Sequence, residues 1–253
     1  MGSSPIDAPL SRKLAPVVEL RARCADCNLR SMCLPFGLSP SDDLRLESMV
    51  AARRRLKYGQ ALYRAGDRLE ALYGIRGGFF KTSALFEDGR EQVTGFQMPG
   101  EMLGLDGVGT DRYTCDAVAL DHSEVCIIPY ARLLEVGRKS EPLEHHLFKI
   151  LGREIARDQS VMLLLGTMHA EERLGAFLLN LSDRLRARGY SPSEFQLRMR
   201  REEIGSYLGL TLETVSRTFS KLQQHGLVDV QRRRLRIIDA DGLAKLIERN
   251  SRS

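Results

Sequence analysis

Residues 202–226 read EEIGSYLGLTLETVSRTFSKLQQHG. Ile204 and Leu208 give a first helix its inward face, Gly209 permits a tight turn, and Leu210 plugs the junction. Thr211 caps a second helix in which Val215, Phe219 and Leu222 point inward. Leu227-Val228-Asp229-Val230, Gln231-Arg232-Arg233-Arg234 and Leu235-Arg236-Ile237-Ile238 then read as strand, basic turn and strand. Helix, turn, helix and β-hairpin is the order of a winged helix-turn-helix. Glu213, Ser216 and Arg217 are left on the outward face near the start of the second helix, where such a motif meets base edges in the major groove. Arg217 can bind a guanine O6/N7 pair, Glu213 can accept from a cytosine amino group, and Ser216 can approach a thymine methyl or a polar edge. Lys221, Thr214 and the wing arginines Arg232 to Arg234 suit phosphates, which set register and salt dependence. A surface Glu–Arg pair has the same i,i+4 spacing. Turn, cap, core spacing and wing together favour DNA.

The charge distribution agrees. The net charge of +5 falls entirely in residues 171–253, the first 170 being neutral. A basic C-terminal third suggests a polyanion partner. Upstream, Leu174, Phe177, Leu178, Leu181 and Leu185 share one face of an amphipathic helix from Glu171 to Arg188, ended by Gly189.

Before that helix lies a longer candidate, Pro142 to about Met168. Phe148, Leu151, Ile155, Asp158, Met162 and Leu165 alternate at three and four residues, the a/d seam of a two-stranded coiled coil with one aspartate in it. An identical facing helix would bring two Asp158 carboxylates together, and their repulsion would oppose association. A buried bundle helix with one solvated aspartate fits the same pattern.

From Leu56 to about Tyr130 the pattern is short strands between turn signals, among them Ala65-Gly66-Asp67, Arg76-Gly77-Gly78, Glu87-Asp88-Gly89 and Met98-Pro99-Gly100. Many antiparallel strands at that spacing mean a jelly-roll-like β-domain. Residues 39–55 read as a capped amphipathic helix ending in Arg53-Arg54-Arg55. Residues 1–16 are polar with three prolines and no apolar core, so neither export nor a membrane span is expected, and the setting is cytoplasmic.

Five cysteines without a secretion signal argue against a disulfide framework. Cys24, Cys27 and Cys33 form C-x2-C-x5-C; Cys126 lies far downstream and Cys115 stands apart. Four thiolates suit an iron–sulfur cubane, and they equally suit tetrahedral zinc.

The stretches CADCNLRSMC with LPF, GREQVTGFQMPGEMLGLDGVG, EVCIIP, GREIARDQSVMLLL, AEERLGAFLLNLS and YLGLTLETVSR together resemble the Crp–Fnr superfamily of bacterial transcription regulators, specifically its FNR (fumarate and nitrate reduction regulator) branch. The resemblance runs from about Cys24 to the C-terminus. It implies an α+β chain: an N-terminal cluster segment (1–35), a cyclic-nucleotide-binding-type β-roll (36–140), a long dimerisation helix (141–170) and a winged helix-turn-helix domain (171–253). It also implies a [4Fe–4S] cluster on Cys24, Cys27, Cys33 and Cys126, with Asn28 beside it. In the family the cluster-bearing form dimerises and binds TTGAT-N4-ATCAA-type sites, and oxygen ends that state.

The expectation is therefore an oxygen-responsive, homodimeric DNA-binding regulator, mainly an activator working with RNA polymerase, and not an enzyme. Ile155, Asp158 and Met162 are the expected dimer switch. The stretch Arg112-Tyr113-Thr114-Cys115 lacks the Arg-Ser pair that clamps a cyclic phosphate in nucleotide-binding relatives, so no cyclic nucleotide is expected. A zinc-stabilised or a nitric-oxide or redox-sensing regulator of the same type is the alternative.

Overall fold

The computed structural model describes Cys27, Leu29 and residues 49–249. Eight strands make the N-terminal roll: β1 (Ala52–Leu56), β2 (Ala61–Tyr63), β3 (Ala71–Gly77), β4 (Phe80–Leu85), β5 (Glu91–Gln97), β6 (Met102–Leu103), β7 (Asp116–Ala119) and β8 (Ser123–Pro129). They form two antiparallel four-stranded sheets ordered β1-β8-β3-β6 and β2-β7-β4-β5. Leu62, Leu72, Ile75, Phe80, Ala117, Ala119 and Val125 fill the space between the sheets. Apolar residues alternate inward along each strand, which is what pins the register. Gly66, Gly78, Gly89 and Gly100 all take positive φ at the turns named from the sequence.

Arg53-Arg54-Arg55 do not end a helix; they lie in β1, paired with Cys126, Val125 and Glu124 of β8. Ala52 and Leu56 sit four apart, a spacing that one helical turn and a period-two strand share, so local pattern does not separate the two. The strand turns Arg53 and Arg55 outward and Arg54 inward, where its Nη1 donates to Leu62 O at 3.3 Å.

Helix α1 (Tyr130–Gly137) leaves the roll and α2 (Glu141–Thr167) follows. Pro142 sits in the first turn of α2 with Glu141 and Glu144, a favourable N-terminus for both ring geometry and dipole. At 27 residues it spans about 40 Å. Helix α3 (Ala170–Arg186), α4 (Arg201–Leu208) and α5 (Leu212–Gln224) precede the wing β10 (Val228–Gln231) and β11 (Arg234–Ile237), to which β9 (Glu194–Gln196) adds a third strand; α6 (Ala240–Arg249) closes the chain. The wing turn is only Arg232-Arg233, shorter than the four-residue basic turn expected, because Gln231 and Arg234 still pair. No helix is long and apolar enough to cross a membrane among the described residues.

The C-terminal core holds Leu174, Phe177, Leu178, Ile204, Leu208, Val215, Phe219 and Leu222, and it continues into the roll through Val93, Phe96 and Met98. Phe96 meets Phe177 and Tyr207 at centroid distances of 6.0 and 5.2 Å. Val93 N–H, at the edge strand β5, donates to Ser206 Oγ at 2.8 Å, so α4 caps an otherwise open sheet edge. Glu101, just past the Met98-Pro99-Gly100 turn, accepts from Arg184 of α3 and from Arg188 just beyond its end, at 2.7 Å each, with Arg157 of α2 at 3.7 Å.

Candidate functional site

Three features carry the chemistry: the outward face of α5, the exposed stripe of α2, and the outer sheet face around Cys126. On α5, Thr211 Oγ1 accepts from Thr214 N at 3.2 Å, the cap expected from sequence, and Gly209 holds the turn at φ +64°. Val215, Phe219 and Leu222 are buried. That rotation leaves Glu213 and Arg217 exposed and Ser216 half-buried beside them. The Glu213 carboxyl lies below its ordinary value because its own backbone N–H and the Thr211 hydroxyl donate to it, with Arg217 adding charge. It is an acceptor at neutral pH. Arg217 Nη2 rests on Thr214 Oγ1, at 3.4 Å.

Two of the residues expected to meet phosphates are paired within the protomer. Lys221 Nζ pairs with Glu171 of α3 at 2.7 Å, and Arg234 pairs with Glu194 of β9 at 2.6 Å. Both are surface pairs of the kind worth about 0–1 kcal/mol, a cost that phosphate contact can repay. Arg232, at φ +57°, and Arg233 stand exposed at the wing tip.

On α2, Phe148, Ile155, Met162 and Leu163 are 59–70% exposed, an unusual density of apolar surface on one helix. Leu151 and Leu165 are half-buried and Asp158 is exposed. Leu143 alone of this helix is buried, against Met49 and Val136. The solvated bundle-helix alternative is therefore not what the protomer shows.

At the roll, the cross-strand partners of Cys126 are Arg53 on one side and Gly74 on the other. Direct partners share a sheet face, so Arg53, Cys126 and Gly74 lie together on the outside of the sheet, with Arg55, Glu124 and Arg76 one step along. A Cβ added at Gly74 would stop 4.0 Å from the Cys126 Cβ, so the glycine leaves room beside the thiol. Arg76 Nη1 pairs with Glu124 at 2.7 Å and feels the charges of both Cys27 and Cys126. Burial pushes the Cys126 thiol up; Arg53, by charge and as a donor, pulls it back, and Cys27 adds to the rise. Arg53 Nε is buried without a partner among the described residues. Cys27 and Cys126 are both free thiols in one electrostatic neighbourhood. Cys24, Cys33 and Asn28 lie outside the described residues, and among the described residues no three His, Cys, Asp or Glu side chains converge on a metal. Two thiols, an orphan guanidinium N–H, a gap at Gly74 and an excess of arginine fit a dianionic tetrathiolate centre.

Cys115 is elsewhere. It is buried, its Sγ lies 3.3 Å from the Asp106 carboxylate, and burial and that charge raise its thiol strongly. Asp106 also accepts from Thr114 N at 2.7 Å and Cys115 N at 3.2 Å. It helps line a cavity of about 370 Å³ under α2, together with Tyr63, Thr82, Gln97, Glu154, Arg157 and Asp158. Arg112 is not among its lining residues; its Nη1 donates to Gly66 O at 2.6 Å.

Sequence reasoning missed three arginine arrangements: Arg53 and Arg76 beside Cys126, Arg184 and Arg188 on Glu101, and Arg173 at the end of α2. Each reads as an ordinary surface arginine until tertiary contacts exist.

Residues 53–140 match the family model of the cyclic nucleotide-binding domain, and residues 172–246 match the Crp-like helix-turn-helix domain. The chain is 43% identical to the transcriptional activator protein Anr of Pseudomonas aeruginosa, over 89% of this chain and 93% of that protein. It is 40% identical to the fumarate and nitrate reduction regulatory protein of Salmonella typhimurium, covering 88% and 89%. Among solved structures, FixK2 from Bradyrhizobium japonicum superimposes with a TM-score of 0.72 at 28% identity, covering 77% of this chain and 96% of that one.

Proposed function

The chain belongs to the FNR branch of the Crp–Fnr superfamily of transcription regulators, and on that footing we propose that it is an oxygen-responsive, homodimeric activator. As a member it is a DNA-binding regulator and not an enzyme. The observation that carries the sensing half is the shared neighbourhood of Cys27 and Cys126 beside Arg53, Arg76 and Gly74.

In this reading Cys24, Cys27, Cys33 and Cys126 hold a [4Fe–4S] cluster. When bound, such a cluster supplies oxygen-labile chemistry next to the roll. The chain's own residues do the rest. Cys126 anchors the N-terminal segment to β8, Arg53 and Arg76 offset negative charge there, and Gly74 leaves space. The exposed stripe Phe148, Ile155 and Met162 docks on a second copy, while two Asp158 carboxylates keep the dimer marginal. A small bias from the N-terminal segment then tips the population between monomer and dimer. Paired α5 helices read a palindrome of the TTGAT-N4-ATCAA type through Glu213, Ser216 and Arg217. The loop around Glu87-Asp88-Gly89-Arg90, preceded by Leu85 and Phe86 at 68% and 51% exposure, is the surface we assign to RNA polymerase. The Asp106 carboxylate in the cavity under α2, with Arg112 bound to Gly66 O instead of lining it, supports a regulator that takes no cyclic phosphate.

A zinc site on the same thiolates is also dianionic, so the deciding experiment is chemical. Protein purified without oxygen should carry iron and acid-labile sulfide and absorb broadly in the visible. Cys126→Ser should lose both and Cys115→Ser should keep them. Stoichiometric zinc without sulfide, or the reverse behaviour of the two variants, would sink the assignment.

A further inference from the structure

Arg173, in the first turn of α3, joins three helices. Its Nε donates to Met168 O at 2.8 Å and its Nη2 to Leu165 O at 2.8 Å, two carbonyls at the C-terminal end of α2. Its Nη1 donates to Leu208 O at 3.0 Å, the last carbonyl of α4. Carbonyls at helix C-termini have no partner within their own helix, and both helix ends present partial negative charge to the guanidinium. Gly209, the turn residue between α4 and α5, packs against the same contact: a Cβ there would lie 3.3 Å from Arg173 Nη1 and 3.5 Å from Leu165 Cδ2. Leu165 is also the last apolar residue of the α2 seam. The end of the seam, the Arg173 fork and the turn that launches the reading helix are therefore in direct contact.

We propose that Arg173 is a positioning residue that locks the reading helix α5 to the end of α2, so that the dimer axis dictates the spacing between the two DNA half-sites. The inference rests on the homodimeric DNA-binding reading above. A guanidinium has donors in a rigid planar fork and serves three carbonyls at once; a lysine ammonium on a flexible stem holds the charge without the geometry. With the fork removed, α3 still packs through Leu174, Phe177 and Leu178, and the α5 face is unchanged. What is lost is the fixed angle between reader and dimer axis.

The test uses the full chain, prepared without oxygen, and duplex probes carrying TTGAT and ATCAA separated by three, four or five base pairs, together with a single half-site probe. Wild-type protein should prefer the four-base-pair spacer. Arg173→Lys, and as a second variant Arg173→Gln, should bind the three spacings nearly alike while half-site binding and its salt dependence stay at wild-type levels. Arg186→Gln, an exposed arginine on the same helix paired with Asp183, should keep the preference. If the Arg173 variants melt earlier but keep wild-type spacing selectivity, or if neither folds, the residue is merely structural and the proposal is overturned. If wild-type protein binds none of the probes, the DNA reading itself fails and takes this inference with it.

Discussion

Arg217 extends from an exposed position of α5 and is tethered by a 3.4 Å contact to Thr214 Oγ1, so its removal leaves no buried group unsatisfied. Its loss should therefore be felt in binding and not in folding. Arg217→Ala is expected to weaken binding to a TTGAT-type site by about 1–3 kcal/mol and to relax discrimination at one base pair, with the melting temperature unchanged. Competition titrations against single-base variants of the site check this. A uniform loss across all variants would make Arg217 a phosphate contact instead. The outward face of α5 is legible in the sequence because its logic is local: a cap, a glycine and a 3.6-residue period decide which side chains point out. Arg53 and Arg76 are not legible there, because their meaning comes from Cys126 on a strand far away in the chain.

At the scale of the element, α2 shows what periodicity does and does not say. The seam is readable as spacing, and the helix runs from Glu141 to Thr167, close to the span expected. Spacing alone leaves a buried bundle helix open. The 63, 59 and 70% exposure of Phe148, Ile155 and Met162 in the protomer removes that option, since no element among the described residues covers them. In the proposed dimer, two Asp158 carboxylates ~6 Å apart at an effective dielectric near 20 would repel by roughly 2–3 kcal/mol, on the order of 100-fold in a dimer dissociation constant. Asp158→Ala should tighten the dimer by that order and retain DNA binding in air, read by sedimentation and by gel shift. A variant that stays monomeric in air places the switch elsewhere. The opposite lesson comes from β1: Arg53-Arg54-Arg55 reads as the end of the capped amphipathic helix at 39–55, and only pairing to β8 settles the strand.

For the whole molecule, the DNA-reading unit is seated on the roll by a charged lock. Burial raises the Glu101 carboxyl, but Arg184, Arg188 and Arg157 outweigh it and hold the group below its ordinary value. A carboxyl lowered in the folded state stabilises above the unfolded value, near pH 4.3, and that contribution is lost as pH falls through the folded value. Thermal stability should thus be level with respect to this group above about pH 5 and decline below it. Glu101→Gln should cost about 3 kcal/mol at neutral pH and flatten part of that acid decline, to which other lowered carboxyls such as Glu91 and Glu124 also contribute. Melting curves over a pH series decide it, and a wild-type slope in the variant would mean the lock contributes nothing. The order of parts is written in local pattern: a strand-rich roll, a long helix with an apolar seam and a capped helix-turn-helix with its wing. Each of these rests on periodicity, glycine turns and caps, which act over a few residues. Only the tertiary structure decided how the parts are joined. The grip of Arg173 on two helix ends, the closure of Arg184 and Arg188 on Glu101, and the pairing of Arg53 and Gly74 with Cys126 all link residues distant in the chain. Such contacts exist only once the sheets pair and the core closes, because a guanidinium or a thiol carries no periodicity that would announce its partner.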